Sequence, residues 1–72
     1  MTEEEREKLQ NIIDKYKSTY SLRKYKLRDR KEHTDEFIRL VEYQFRNTIG
    51  DLRFSEMEPE IHTRVVLASN DI

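Results

Sequence analysis

Apolar side chains recur at helical spacing through the first part of the chain. In chain order they are Leu9, Ile12, Ile13, Tyr16, Tyr20 and Leu27. At 100° per residue these positions fall within a stripe about 100° wide, which is the width of one buried helix face. Thr2 precedes them, and Glu5 follows three residues later, which is the pattern of a capping box. The spacing predicts a long N-terminal helix from Thr2 toward Lys31, with a break near Ser18–Ser21 as the alternative.

A second stripe predicts a helix over residues 35–50. Its members are Phe37, Val41, Phe45, Thr48, Ile49 and Leu52, with Ile38 at the edge. Either Thr34 or Asp35 is expected to cap the start of this helix. Gly50 is expected to end it, because glycine adopts the left-handed conformation without a steric penalty. Whether the helix stops at Gly50 or continues to Leu52 is left open by the pattern.

Residues 59–72 fit two structures. As a helix with Pro59 in its first turn and with Ser55 and Glu58 as a capping box, they place on one face Ile61, Val65, Ala68 and Ile72. As a strand they alternate in polarity, and residues 52–54 offer the only partner. Because two isolated strands are marginal in water, we predict a short third helix. The predicted fold is a small all-α helical bundle, and the alternative is two helices followed by a short C-terminal β-hairpin.

The composition describes one small domain that covers residues 1–72. Of these residues, 35% are hydrophobic and 40% are charged, whereas ordinary domains are about 45–50% apolar and about 25% charged. No cysteine is present, which excludes disulfides and cysteine-based metal sites. No apolar run approaches the roughly 18–20 residues of a membrane span, and the acidic N-terminus is unlike a signal peptide. We therefore expect a soluble, cytoplasmic protein that does not interact with membranes.

Catalytic chemistry finds little support in the sequence. No serine or threonine lies in a glycine-flanked elbow, and the single glycine excludes a glycine-rich phosphate loop. His33 and His62 are the only side chains that titrate near neutral pH without a perturbed environment. We interpret Glu32, His33, Asp35 and Glu36 as a solvated helix start rather than a metal site. The expectation is a protein that is not an enzyme and has no cofactor, metal site or small-molecule substrate.

The charges are arranged in three blocks, although the net charge is −1. Residues 1–14 hold five acids and two bases, and residues 32–72 hold nine acids and four bases. Between them, residues 15–31 hold eight bases and one acid, a local charge of +7. Such an asymmetry often marks a contact surface.

The centre of the basic block combines closely spaced cations with an aromatic side chain. The candidate phosphate-binding residues are Arg23, Lys24, Tyr25, Lys26, Arg28, Arg30 and Lys31. Cations at this spacing neutralise phosphates and release counterions, and a tyrosine can stack on an unpaired base. Overall acidity argues against non-specific nucleic-acid binding, which normally accompanies a basic domain. Nucleic-acid binding is therefore the alternative function.

Some apolar side chains project away from the two helical stripes, and they indicate a protein partner. Leu22 and Tyr25 lie opposite the first stripe, and Leu40 and Tyr43 lie off the second. Our leading hypothesis is a non-catalytic interaction or regulatory protein that self-associates or docks on a larger protein. The predicted partner-binding residues are Leu22, Tyr25, Arg28 and Tyr43, with Arg23 and Lys24 steering the encounter. A homodimer is expected, with the acidic segment 1–14 of one copy beside the basic segment 15–31 of the other.

Overall fold

The computed structural model contains three α-helices in the residues that it describes. These are α1 (Glu3–Arg23), α2 (Arg30–Ile49) and α3 (Asp51–Ser69). The description covers the backbone of residues 1–23 and 30–72 and the side chains of residues 1–20 and 30–72. Strands are absent from these ranges, and residues 59–69 belong to α3. The predicted small all-α bundle is confirmed, and the alternative C-terminal β-hairpin is wrong.

The start of α1 follows the sequence prediction. The amide of Glu5 donates to Thr2 Oγ1 at 3.1 Å, and the amide of Thr2 donates to Glu5 Oε1 at 2.9 Å. This reciprocal capping box satisfies two of the amide groups that a helix N-terminus leaves without partners. The helix continues through Ser18–Ser21, so the alternative break there is wrong. The predicted extension of this helix as far as Lys31 is wrong, because Arg30 and Lys31 belong to α2, which packs against α1. Residues 24–29 lie outside the described backbone.

The second helix begins earlier than its polar residues suggested. α2 starts at Arg30, and the hydroxyl of Thr34 donates to the carbonyl of Lys31 at 3.0 Å, inside the helix. The predicted start at residue 35 and the cap at Thr34 or Asp35 are therefore wrong. The physical reason is that His33 lies one turn before Phe37 and is buried with it, so the buried face of α2 extends farther toward the N-terminus.

Gly50 alone connects α2 to α3. Its φ of 93° and ψ of 154° lie in a region that is essentially reserved for glycine. Its amide donates to the carbonyl of Arg46 at 2.8 Å, and its carbonyl accepts from the amide of Phe54 at 3.0 Å. The predicted end of the second helix at Gly50 is confirmed. Because the chain changes direction there, Leu52 does not continue the stripe of α2 and is exposed.

The third helix is longer than predicted. It begins at Asp51, and Pro59 lies in its interior rather than in its first turn. The predicted place of Pro59 in the first turn and the predicted capping box of Ser55 and Glu58 are therefore wrong. Phe54 and Met57 extend the buried face toward the N-terminus, and burial of two large side chains offsets the roughly 3 kcal/mol that an interior proline costs.

The core lies between the three helices, and α2 packs against both α1 and α3. The predicted faces supply most of the buried apolar residues, which are Leu9, Ile13, Tyr20, Phe37, Val41, Phe45, Phe54, Met57, Ile61, Val65 and Ile72. Ile12, Tyr16, Ile38, Leu40, Ile49 and Ala68 are partly buried against this cluster. The predicted place of Thr48 in the buried stripe of α2 is wrong, because Thr48 is exposed. Its hydroxyl donates to the carbonyl of Gln44 at 2.9 Å, within the same helix.

Candidate interaction surface

His33 is buried, although the sequence predicted that this start of the second helix would be exposed to solvent. His33 is 2% exposed, and its ring lies against Tyr20 with ring centroids 5.1 Å apart. Neither ring nitrogen has a hydrogen-bond partner within the part of the chain that the structure describes. The interpretation of His33 as a solvent-facing residue is therefore wrong. No group of three or more histidine, cysteine or carboxylate side chains capable of holding a metal ion occurs among the described residues.

A salt bridge with two hydrogen bonds links α1 to α3. Arg53 donates from Nε to Glu5 Oε2 at 2.7 Å and from Nη2 to Glu5 Oε1 at 2.9 Å. This paired geometry matches the planar guanidinium to the carboxylate. The hydrogen bond from Arg53, followed by that from the amide of Thr2, lowers the pKa of Glu5 to about 2. The same pairing raises the pKa of Arg53. Glu5 thus caps α1 and clamps it to α3 with one carboxylate.

A second ionic contact joins the C-terminal half of α1 to Asp71, which follows the end of α3. Lys17 Nζ lies 3.3 Å from Asp71 Oδ2. Between the two ion pairs, α1 and α3 border a groove of about 310 Å³ that is lined in part by Leu9, Ile13 and Ala68. Leu9 and Ile13 are at most 3% exposed, so the floor of this groove already belongs to the core.

Most of the predicted partner-binding residues fall outside the side chains that the structure describes. This holds for Leu22, Arg23, Lys24, Tyr25 and Arg28. The remaining member, Tyr43, lies on α2 and is 60% exposed. Its exposure agrees with its predicted position away from the buried stripe.

The candidate nucleic-acid residues are only partly described. Lys26 and the other members of segment 23–29 lie outside the described side chains, while Arg30 and Lys31 form the start of α2. Arg30 Nη2 donates to the carbonyl of Asn70 at 3.4 Å. Arg30, one of the candidate phosphate-binding residues, therefore contacts the C-terminal end of α3 in the same chain.

Sequence reasoning missed an exposed patch on α3. We call Pro59, Glu60, Thr63, Arg64 and Leu67 the α3 outer face. These residues line a shallow, mainly apolar surface depression, and Leu67 is 62% exposed. The sequence contains a pattern that could have predicted this patch, because positions 59, 63 and 67 are spaced by four residues. This spacing places them on one side of the helix, opposite the buried face of Ile61 and Val65.

None of the described helices combines the length and the apolar character required to cross a membrane. Comparison of the chain with known protein families, curated proteins and solved structures finds no match.

Proposed function

We propose that this chain is a non-catalytic interaction or regulatory protein that self-associates or docks on a larger protein and modulates it. The exposure of Tyr43 carries this proposal. Two other aromatic residues of α2, Phe37 and Phe45, are fully buried, whereas Tyr43 is 60% exposed. Tyrosine supplies a large apolar area with a polar tip, and it is enriched at protein interfaces.

The basic block supplies the electrostatic part of the proposal. With a local charge of +7 over residues 15–31, the chain is expected to approach an acidic surface faster than a neutral protein does. In this proposal Leu22, Tyr25, Arg28 and Tyr43 form the contact, and Arg23 and Lys24 steer the encounter. The absence of cysteine suits action in the reducing cytoplasm.

The experiment is quantitative capture of the partner from the native host, followed by binding measurements with the isolated partner. The double variant Tyr25→Ala/Arg28→Ala and the single variant Tyr43→Ala are expected to weaken binding about tenfold or more, as losses at interface anchors do. Their helix content by circular dichroism should equal that of the unchanged protein. Leu52→Ser is the matched control, because Leu52 is an exposed apolar residue on a different helix.

Two results would contradict this proposal. Unfolding of the double variant would mean that Tyr25 and Arg28 support the fold rather than a partner. Equal binding by the Tyr43→Ala variant and the unchanged protein would remove the observation on which the proposal depends.

The charge of residues 15–31 also favours a second candidate, nucleic-acid binding through residues 23–31. The measurement is fluorescence anisotropy of labelled DNA and RNA as a function of salt. A protein that contacts several phosphates loses affinity steeply between about 50 mM and 200 mM salt, because counterions are released on binding. Absence of binding at 50 mM salt would reject this candidate.

A further inference from the structure

We propose that the α3 outer face binds the same face of a second copy of this chain, with the two α3 helices antiparallel and the two-fold axis at Thr63. For the self-association branch of the proposed function, this inference names a different surface from the pairing of segments 1–14 and 15–31 that the charge blocks predict. It does not depend on the docking branch, which uses α2 and the basic block.

The α3 outer face has the shape of a helix-pairing surface. Pro59, Thr63 and Leu67 are spaced by four residues, form one row along the helix and are all exposed. At a rise of 1.5 Å per residue this row is about 12 Å long. The inward face of the same helix is already committed to the core through Phe54, Ile61 and Val65. Pairing through the outer row therefore requires no rearrangement of the core.

The charges beside this row are complementary to themselves only in the antiparallel orientation. Glu60 and Arg64 lie three residues before and one residue after Thr63. A two-fold axis at Thr63 places Glu60 of one copy within about 3 Å, measured along the helix axis, of Arg64 of the other. The contact occurs twice, as two-fold symmetry requires. Parallel pairing in register would instead oppose Glu60 to Glu60 and Arg64 to Arg64.

Within one chain, Glu60 and Arg64 make only long, solvent-exposed ion-pair contacts. Arg64 Nε lies 3.4 Å from Glu60 Oε2, and both side chains are 45% exposed. The N-terminal ammonium group is 3.5 Å from Glu60 Oε1. Exposed pairs at such distances contribute little to stability, so exchange for an intermolecular pair costs little.

The apolar contacts fit the same register. Positions 59 and 67 are symmetric about position 63, so Leu67 of each copy is opposite Pro59 of the other. Each Leu67 then covers the depression beside Pro59 and Thr63 that is exposed in the single chain. Burial of Leu67 supplies the attraction, and the charge pairs select the orientation.

Single-cysteine variants test the register, because the natural chain has no cysteine. Thr63→Cys places its thiols at the two-fold axis and is expected to form a disulfide-linked dimer under mild oxidation. Glu56→Cys is the matched control on the outer side of the same helix. Its two copies would be about 21 Å apart along the axis, and no cross-link is expected. Equal cross-linking of both variants, or of neither, would overturn the antiparallel arrangement.

Charge reversal tests the intermolecular pairs. Glu60→Arg alone and Arg64→Glu alone each create like-charge contacts across the proposed interface, so each homodimer is expected to be about tenfold weaker or more. An equimolar mixture of the two variants is expected to restore dimers that contain one chain of each kind. This recovery cannot come from contacts within a chain, since each variant retains its own like-charged pair. Absence of recovery in the mixture would reject the proposed pairing.

Sedimentation equilibrium distinguishes this inference from failure of the docking proposal. The unchanged protein should show concentration-dependent dimerisation, Leu67→Ser should weaken it about tenfold or more, and Leu52→Ser should not, although Leu52 is 86% exposed on the same helix. Circular dichroism should show unchanged helix content in both variants. A protein that stays monomeric at millimolar concentration, or a dimer indifferent to Leu67→Ser, would overturn the inference. Either result would leave partner capture through Tyr43 unaffected.

Discussion

At the residue scale, His33 is the most unusual position in the described structure. Its imidazole is 2% exposed between α1 and α2, yet neither nitrogen has a hydrogen-bond partner among the described residues. The ring is held instead by aromatic contact with Tyr20 at 5.1 Å. A buried polar group without a partner loses the hydrogen bonds that it made with water in the unfolded chain, which costs free energy.

We expect His33→Leu to raise the free energy of unfolding by about 1–3 kcal/mol, because the apolar side chain removes the cost of burying an unpaired polar group. The measurement is urea unfolding monitored by circular dichroism at neutral pH. His62→Leu is the control, since His62 is exposed and its Nδ1 lies 2.7 Å from Glu42 Oε2; it should be neutral or destabilising. A loss of stability in the His33→Leu variant would mean that the imidazole contributes a favourable contact.

The stability contributed by Glu5 should depend on pH in a defined direction. Because hydrogen bonds from Arg53 and Thr2 lower its pKa to about 2 in the folded chain, its contribution is complete above the unfolded pKa of about 4.3. That contribution is lost as the pH falls through the folded pKa. We expect Glu5→Gln to lower the melting temperature at pH 7 and to converge with the unchanged protein as the pH approaches 2.

Glu4→Gln is the matched control for this measurement. Glu4 lies in the same first turn and makes the same type of charge contact, with its carboxylate 3.2 Å from Lys8 Nζ, but its side chain is mainly exposed. Its replacement should change the melting temperature much less at every pH. If the difference in melting temperature between the Glu5→Gln variant and the unchanged protein is independent of pH, the changed shape of the side chain, rather than the loss of its charge, causes the effect.

At the element scale, the junction between α2 and α3 depends on one backbone conformation. Gly50 has a φ of 93° and carries hydrogen bonds to both helices, from its amide to Arg46 and from Phe54 to its carbonyl. A Cβ atom placed on Gly50 would meet nothing within 4 Å. Any cost of a side chain there is therefore a cost of backbone conformation and not of crowding.

We expect Gly50→Ala to lower the free energy of unfolding by about 1–3 kcal/mol, the range for an L-residue forced into a sparsely populated region. A synthetic chain with D-alanine at position 50 provides the control, because the D-residue favours positive φ and adds the same methyl group. It should be at least as stable as the natural chain in urea unfolding. Equal destabilisation by both residues would assign the effect to the methyl group itself.

At the scale of the whole molecule, the chain is small and has few apolar residues to bury. Chains of about this size bury only roughly 60% of the surface that they expose when unfolded. Among the described residues, the three helices contribute ten buried apolar side chains and Ile72 adds one more, while Leu67 and Tyr43 stay exposed on separate helices. Oligomerisation is one way in which small domains gain further burial, and we propose it for this chain.

The melting temperature of the unchanged protein is therefore expected to rise with protein concentration, because self-association stabilises only the folded form. Calorimetry over a hundredfold range of concentration provides the measurement. In the Leu67→Ser variant the concentration dependence should be reduced, with little change in the melting temperature at the lowest concentration. An identical melting temperature across the range for the unchanged protein would contradict self-association.

The features that the sequence determined by itself are those whose partners lie within one helical turn. The capping box of Thr2 and Glu5 and the end of α2 at Gly50 follow from local hydrogen bonding and backbone sterics. The buried face of Phe37, Val41 and Phe45 follows from helical spacing alone. Each of these predictions is confirmed, since no distant part of the chain is needed to satisfy it.

The tertiary structure determined the features that depend on contact with a neighbouring helix. The starts at Arg30 and Asp51, ahead of the expected caps, require the core contacts of His33 and Phe54. The interior position of Pro59 is tolerated because Met57 and Ile61, two residues to either side of it, are buried in the core. The clamp between Glu5 and Arg53 joins residues 48 positions apart, and the exposure of Leu67 depends on which face of α3 its neighbours cover. The pattern of apolar residues along the chain predicts that a helix has one apolar face. Only packing against the other helices determines where each helix begins and which side chains stay exposed.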